Sequence, residues 1–311
     1  MTAYDPVRFV VKDAAAFTAI VPADARIEKL AGGFKFTEGP VWTNGGGGFL
    51  VFSDIPGNEL KRWTPQEGVT TFRAPSHNAN GSTRDLQGRL VTCEHSGRRV
   101  SIADADGAAV TLVDAYDGKK LNSPNDVVVK SDGTVWFTDP PYGLPQQREG
   151  KEQDKDHVFR YDPRTREIRP VADDFHRPNG LCFSPDERRL YIADSGNPHH
   201  IRVFDVQDDG TLAGGDVFCT IDVGIPDGIR CDTAGRLYSS AGDGIHIFTP
   251  GGELIGKIIT PDAPGRHDPS KIGPEVPANL CFGGPAGTTL FITACTSLYT
   301  IPLLARGAVV R

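Results

Sequence analysis

One phrase recurs six times along this chain, and phrases of that length and kind build ring-shaped folds. The clearest copy is "NDVVVKSDGTVWFTDPPYG", Asn125 to Gly143. A polar residue opens a Val-rich run, "SDG" turns the chain, and a second β-rich run ends in an acid and a loop. The same order appears in "NGLCFSPDERRLYIADSG" from Asn179, "DGIRCDTAGRLYSSAGDG" from Asp227 and "NLCFGGPAGTTLFITACT" from Asn279. It appears more loosely in "EGPVWTNGGGGFLVFSD" from Glu38 and "NGSTRDLQGRLVTCEH" from Asn80. The six openers follow one another at intervals of 42, 45, 54, 48 and 52 residues. Taken alone, the Asn179-Gly180 step reads as a turn dipeptide, since both residues tolerate positive φ; the repetition asks for more.

Each copy continues into a third strand: "ELKRW", "RVSIA", "HVFRY", "IRVFD", "IHIFT" and "SLYTI". The first five add a fourth, "VTTFR", "VTLVD", "IRPVA", "DVFCT" and "LIGKI". The sixth lacks one, but "RIEKLAG", Arg26 to Gly32, stands unused before the first copy. Four-stranded units of about 40–50 residues set in a ring make a β-propeller. The fold expected is therefore all-β: one six-bladed propeller over residues 26–311, closed by the N-terminal strand completing the last blade, with residues 1–25 as an extension.

Composition narrows the partners. With 33 Lys and Arg against 40 Asp and Glu, the net charge is −7, which argues against nucleic acid or an anionic membrane. No apolar run approaches the roughly 18 residues of a bilayer span. The first twenty residues break their apolar stretches with charges, so no secretory leader is expected. The six cysteines form no C-x-x-C pair and lie in apolar strands, as buried thiols of a reducing compartment would. The cytoplasm is the expected location.

A propeller ring gives the openers a common address. Each first strand lines the central channel and starts at the same end, so Glu38, Asn80, Asn125, Asn179, Asp227 and Asn279 should meet around one mouth. The second strands return there, bringing Asp54, Glu94 with His95, Asp139 with Tyr142, Asp194 with Ser195, Asp243 and Thr296 to the rim. Two carboxylates and four amides around an axis offer oxygen alone, which suits a hard cation such as Ca²⁺. Zn²⁺, Mn²⁺ or Fe²⁺ are the other candidates for an open oxygen site.

"FTEGPVW", "NSPNDVVVKSDGTVWFTDPPYG", "RPNGLCFSPD" and "IPDGIRCDTAGRLY", in that order, resemble the gluconolactonase / senescence-marker-protein family, which includes regucalcin. The likeness runs from about Arg26 to Thr300. It implies a six-bladed propeller that binds a divalent cation at the channel and hydrolyses sugar lactones. By that resemblance Glu38, Asn179 and Asp227 match the metal ligands. Asn125 matches an asparagine that ligates the metal or holds substrate beside it, and Asp227 matches the acid–base residue. Some animal members carry an arginine where this chain has Ser123, so the identity of the sugar is open.

The residues add their own expectations. No Gly-x-Ser-x-Gly elbow occurs, and the thiols sit within strands rather than beside histidines, so neither a serine nor a cysteine nucleophile is expected. Asp227 is the expected catalytic group with Asn125 beside it, as base or as nucleophile. Because a carboxylate on a dication is a weak base, a rim group is a second proton acceptor, and His95 titrates in the right range if unperturbed. His95 and Glu94 join Asn125 and Tyr142 as candidate substrate-binding residues, with orienting His95 or facing away as the other readings of Glu94. Tyr142, on the stiff "DPPYG" loop, could wall the pocket and offer its hydroxyl to a sugar. The charged stretch Gln146 to His157 reads as a mobile flap. Two rival readings stand beside lactone hydrolysis: a phosphotriesterase resembling the diisopropylfluorophosphatases, and a non-catalytic calcium-binding propeller. The expected partner is a small sugar lactone, with the protein a monomer or homodimer.

Overall fold

The computed structural model describes residues 4–5, 7–103, 108–261 and 275–308. Blade 1 consists of Thr37–Thr43, Phe49–Asp54, Glu59–Thr64 and Gly68–Arg73, hydrogen-bonded in that order. Blade 2 takes Ala79–Arg84, Leu90–Glu94, Arg99–Ala103 and Ala109–Val113. Blade 3 takes Val127–Val129, Val135–Asp139, His157–Asp162 and Glu167–Ala172. Blade 4 takes Pro178–Phe183, Arg189–Asp194, His200–Val206 and Leu212–Thr220. Blade 5 begins with Ile229–Cys231, Leu237–Ser240, Gly244–Phe248 and Leu254–Ile259. Blade 6 has Pro277–Gly283, Thr289–Ala294 and Ser297–Pro302, and Glu28–Gly32 supplies its outer strand with Glu28 opposite Thr300. The first strands of successive blades touch one another in a closed cycle, so they ring the axis. The expected six-bladed propeller and its closure by the N-terminal strand are both present.

The described part of the expected extension is built onto the ring. Phe9–Val11 adds a fifth strand to blade 5, with Val10 opposite Lys257. A short helix, Ala14–Thr18, follows; the Asp13 side chain caps it by accepting from the Ala16 amide at 3.0 Å. Phe17 is fully buried in the core that blades 5 and 6 share.

Alternation along each strand explains why the ring holds. In Phe49–Asp54, Leu50 and Phe52 point toward blade 6, against Cys281, Phe291 and Leu298. Val51 points the other way, against Leu60, Ala79 and Leu90. Both faces of a blade are therefore apolar, and the strand reads as a continuous apolar run. Each fully buried Leu, Ile or Phe in these layers contributes about 1.5–3 kcal/mol. All six cysteines are free thiols in buried positions. Among the described residues, no helix is long and apolar enough to cross a membrane.

Candidate active site at one mouth of the channel

The six openers meet in a closed ring. Asn80 Nδ2 donates to Asn125 Oδ1 at 2.5 Å, and Asn125 Nδ2 donates to Asn179 Oδ1 at 2.6 Å. Asn179 adjoins Asp227 through Gly180, whose amide donates to the Asp227 carbonyl at 3.2 Å. Gly228 lies against the Asn279 side chain, and Asn279 Nδ2 donates to Glu38 Oε2 at 2.9 Å. Gly39 packs on the Asn80 carbonyl and completes the circuit. The register slips at the opener in the first strands of blades 1, 2, 4 and 6, a bulge that re-aims the side chain toward the axis.

The glycines after the openers have a tertiary purpose. Gly180 lies inside a strand and has no positive φ, so the turn reading of Asn179-Gly180 does not hold. A Cβ on Gly180 would sit 2.3 Å from the Asp227 carbonyl oxygen, and one on Gly39 would sit 2.0 Å from that of Asn80. Neighbouring blades approach too closely at the mouth for any side chain there.

The two carboxylates of the ring are electrostatically strained. Glu38 is buried, accepts from the Gly39 amide at 2.6 Å, and has its pKa pushed up to about 7, by burial first and then by Asp126. Burial also pushes Asp227 well up, with Glu38 and Asp126 adding to it and a hydrogen bond from Asn179 opposing. Asp227 is the one opener that is partly exposed. Neither acid forms a direct ion pair among the described residues, although Arg230 draws the Glu38 pKa down from a distance. Arg230 is committed to Asp126 at 3.1 Å. Two acids raised by burial, four amides and no direct ion pair on either acid fit a hard divalent cation, which would neutralise the two carboxylates. The buried Oδ1 of Asn80 has no hydrogen-bond partner, which adds an open oxygen to the set.

The rim residues divide. Tyr142 reaches the site: burial pushes its pKa up to about 12, and Ser195 and Asp227 lie close enough to act on its hydroxyl. The Arg177 guanidinium lies 5.4 Å over its ring and donates to Gln147 Oε1 at 2.8 Å. His95 also belongs to the site, with Nε2 3.0 Å from Asn80 Nδ2 and 3.4 Å from Asn125 Oδ1. Its expected titration in the neutral range is overturned, because burial pushes its pKa down to about 4. Glu94 faces away: it is fully buried, with Arg99 at 2.6 Å, Arg73 at 3.2 Å and the Ser101 hydroxyl at 2.7 Å. Adjacent residues of a strand end point to opposite sides, so His95 and Glu94 could not both face substrate.

The acids closing the second strands are staples. Asp54 accepts from the Phe36 amide at 3.1 Å, Asp139 from the Asn122 amide at 2.7 Å, and Asp194 from the Arg177 amide at 2.8 Å. Each ties its loop to the strand that enters the channel. Asp243 instead takes Lys257 at 3.0 Å and His246 at 2.6 Å. The stretch from Gln146 to His157, expected as a flap, is anchored at its C-terminal end. Buried Gln153 donates to the carbonyls of Tyr116, Lys119 and Lys120, and Lys151 pairs with Asp156 at 2.6 Å.

Fold and site together define a class: a six-bladed propeller whose channel mouth gathers acids and amides around one axis. Within that class the chain belongs to the SMP-30/Gluconolactonase/LRE-like family, whose model matches residues 36–296. It is 35% identical to a gluconolactonase of Zymomonas mobilis over 89% of this chain and 81% of that one. A solved gluconolactonase of Xanthomonas campestris superposes with a TM-score of 0.85 at 37% identity, covering 95% of this chain and 94% of the other. The 6-deoxy-6-sulfogluconolactonase of Pseudomonas putida is 28% identical, over 79% of this chain and 78% of its own.

Proposed function

We propose that this chain is a metal-dependent lactonase that opens a sugar lactone to its aldonic acid. The observation that carries the reading is the meeting of two buried acids, Glu38 and Asp227, both raised by burial and by Asp126, with amide oxygens at one channel mouth. The gluconolactonases among its relatives support the choice of a lactone over an organophosphate. Oxygens of Glu38, Asn125, Asn179 and Asp227 would hold a divalent cation, Ca²⁺ in this reading, which when bound draws electron density from the lactone carbonyl.

The chain's own groups divide the remaining work. Asp227, open to the mouth, takes the proton from the water that attacks the carbonyl. Asn125 holds the carbonyl end of the substrate beside it. Tyr142 and Arg177 form one wall, and their O–H and N–H groups meet the sugar hydroxyls. His95 stays neutral and holds the amide ring rather than exchanging protons.

Proton release from glucono-1,5-lactone tests the reading. Chelation should abolish turnover, Ca²⁺ should restore it, and Asp227→Asn should lower it by about 10²-fold or more. Full turnover in chelator, an unimpaired Asp227→Asn, or faster hydrolysis of a phosphofluoridate would each overturn it.

A further inference from the structure

The hydrogen bonds around the mouth have a direction, and one side chain imposes it. The Pro226 carbonyl can only accept, and Ser195 Oγ lies 2.6 Å from it, so the single hydroxyl proton of Ser195 points there. Asn179 lies 2.9 Å from the same Oγ and must therefore turn its Nδ2 toward it. Its Oδ1 then faces Asn125, which must offer Nδ2 across their 2.6 Å contact. Asn125 Oδ1 in turn requires Nδ2 from Asn80. The second hydrogen of that amino group meets His95 Nε2 at 3.0 Å, so this nitrogen carries the lone pair and the ring proton sits on Nδ1. Every amide orientation in the chain thus follows from the Pro226 carbonyl, which has no alternative but to accept.

This direction decides what the site presents. Asn125 and Asn179 each keep one unused lone pair on Oδ1, and the buried Oδ1 of Asn80 has no partner at all. The opposite direction would turn amino groups, which repel a cation, into the same positions. We propose that Ser195 is a positioning residue: its bond to the Pro226 carbonyl fixes the polarity of the Asn179–Asn125–Asn80–His95 chain, leaving three carbonyl oxygens for an incoming cation. The purpose of those oxygens rests on the lactonase reading above; the polarity itself does not.

Two readouts test it. The first is long-range ¹H–¹⁵N correlation of the imidazoles in metal-stripped protein at neutral pH. His95 should carry its proton on Nδ1 alone; Ser195→Thr should keep that tautomer and Ser195→Ala should lose it. A proton on Nε2 in the wild type overturns the polarity, and needs no variant to be seen. The second is calorimetric titration with Ca²⁺, where Ser195→Ala should bind about 10- to 100-fold more weakly and Ser195→Thr within about threefold of wild type. Unchanged affinity in a folded Ser195→Ala overturns the positioning role. A wild type that shows the Nδ1 proton yet binds no divalent cation upholds the polarity and overturns the metal reading.

Discussion

Replacing Asp194 by alanine removes one carboxylate and leaves three backbone amides without their acceptor. Oδ1 accepts from Arg177 at 2.8 Å and Gly196 at 2.9 Å, and Oδ2 accepts from His176 at 3.0 Å. The side chain is 3% exposed, so water cannot simply take its place. Hydrogen bonds to a charged group contribute about 1.5–3 kcal/mol each. His176 is exposed and its amide recovers part of its bond from solvent, which brings the loss to roughly 3–6 kcal/mol. Against a total stability of about 5–15 kcal/mol that is severe. Asp194→Asn separates geometry from chemistry. Its Oδ1 can still serve Arg177 and Gly196, while its amino group opposes the His176 N–H, so the cost should be about 1–3 kcal/mol. Urea unfolding, read as the shift in midpoint at constant slope, should order the proteins wild type, Asn, Ala. An alanine variant within about 1 kcal/mol of wild type, or an asparagine variant as damaged as alanine, would refute the staple argument.

Three further outcomes follow from the same structure. Gly180→Ala, with its Cβ 2.3 Å from the Asp227 carbonyl, should cost about 1–3 kcal/mol or more and depress lactone turnover, whereas Gly45→Ala, with its nearest neighbour at 4.0 Å, should change neither. Arg230→Gln leaves Asp126 buried and unpaired and should destabilise by about 3–5 kcal/mol, most of it recovered in the Asp126→Asn/Arg230→Gln double variant by denaturant titration. Burial raises the Asp139 pKa from 3.8 to about 7, so its contribution to stability is fully present below pH 3.8 and lost as pH rises to about 7. Across that interval the stability should fall by a total of about 4 kcal/mol, a dependence that Asp139→Asn should remove from the stability–pH curve.

How much of this was legible beforehand depended on whether a feature is local. The blades were, because Asn125 to Gly143 carries its opener, its "SDG" turn and its two strands within one short stretch. The convergence of Glu38, Asn125, Asn179 and Asp227 followed once the ring was recognised, since equal places in equal blades share an end. The need for Gly180 was not legible, because its constraint comes from the carbonyl of Asp227 on the next blade. Asp126 and Arg230 went unnoticed for the same reason: they pair across the channel at a separation of 104 residues. The local signal for Asp126 was an acid where four of the openers are followed by glycine. Glu94 and His95 are neighbours with opposite orientations, and only the strand register separates them. Phe9–Val11 is three residues long, too short for its alternation to register against the charges around it.

The central claim is that paired acids and aligned amides at one channel mouth bind a divalent cation. Diffraction from crystals grown with Ca²⁺ tests it most directly. The expected result is one strong peak on the axis, about 2.3–2.6 Å from oxygens of Glu38, Asn125, Asn179 and Asp227. A mouth that stays free of density with the ion in large excess, or a peak bound elsewhere, would contradict it.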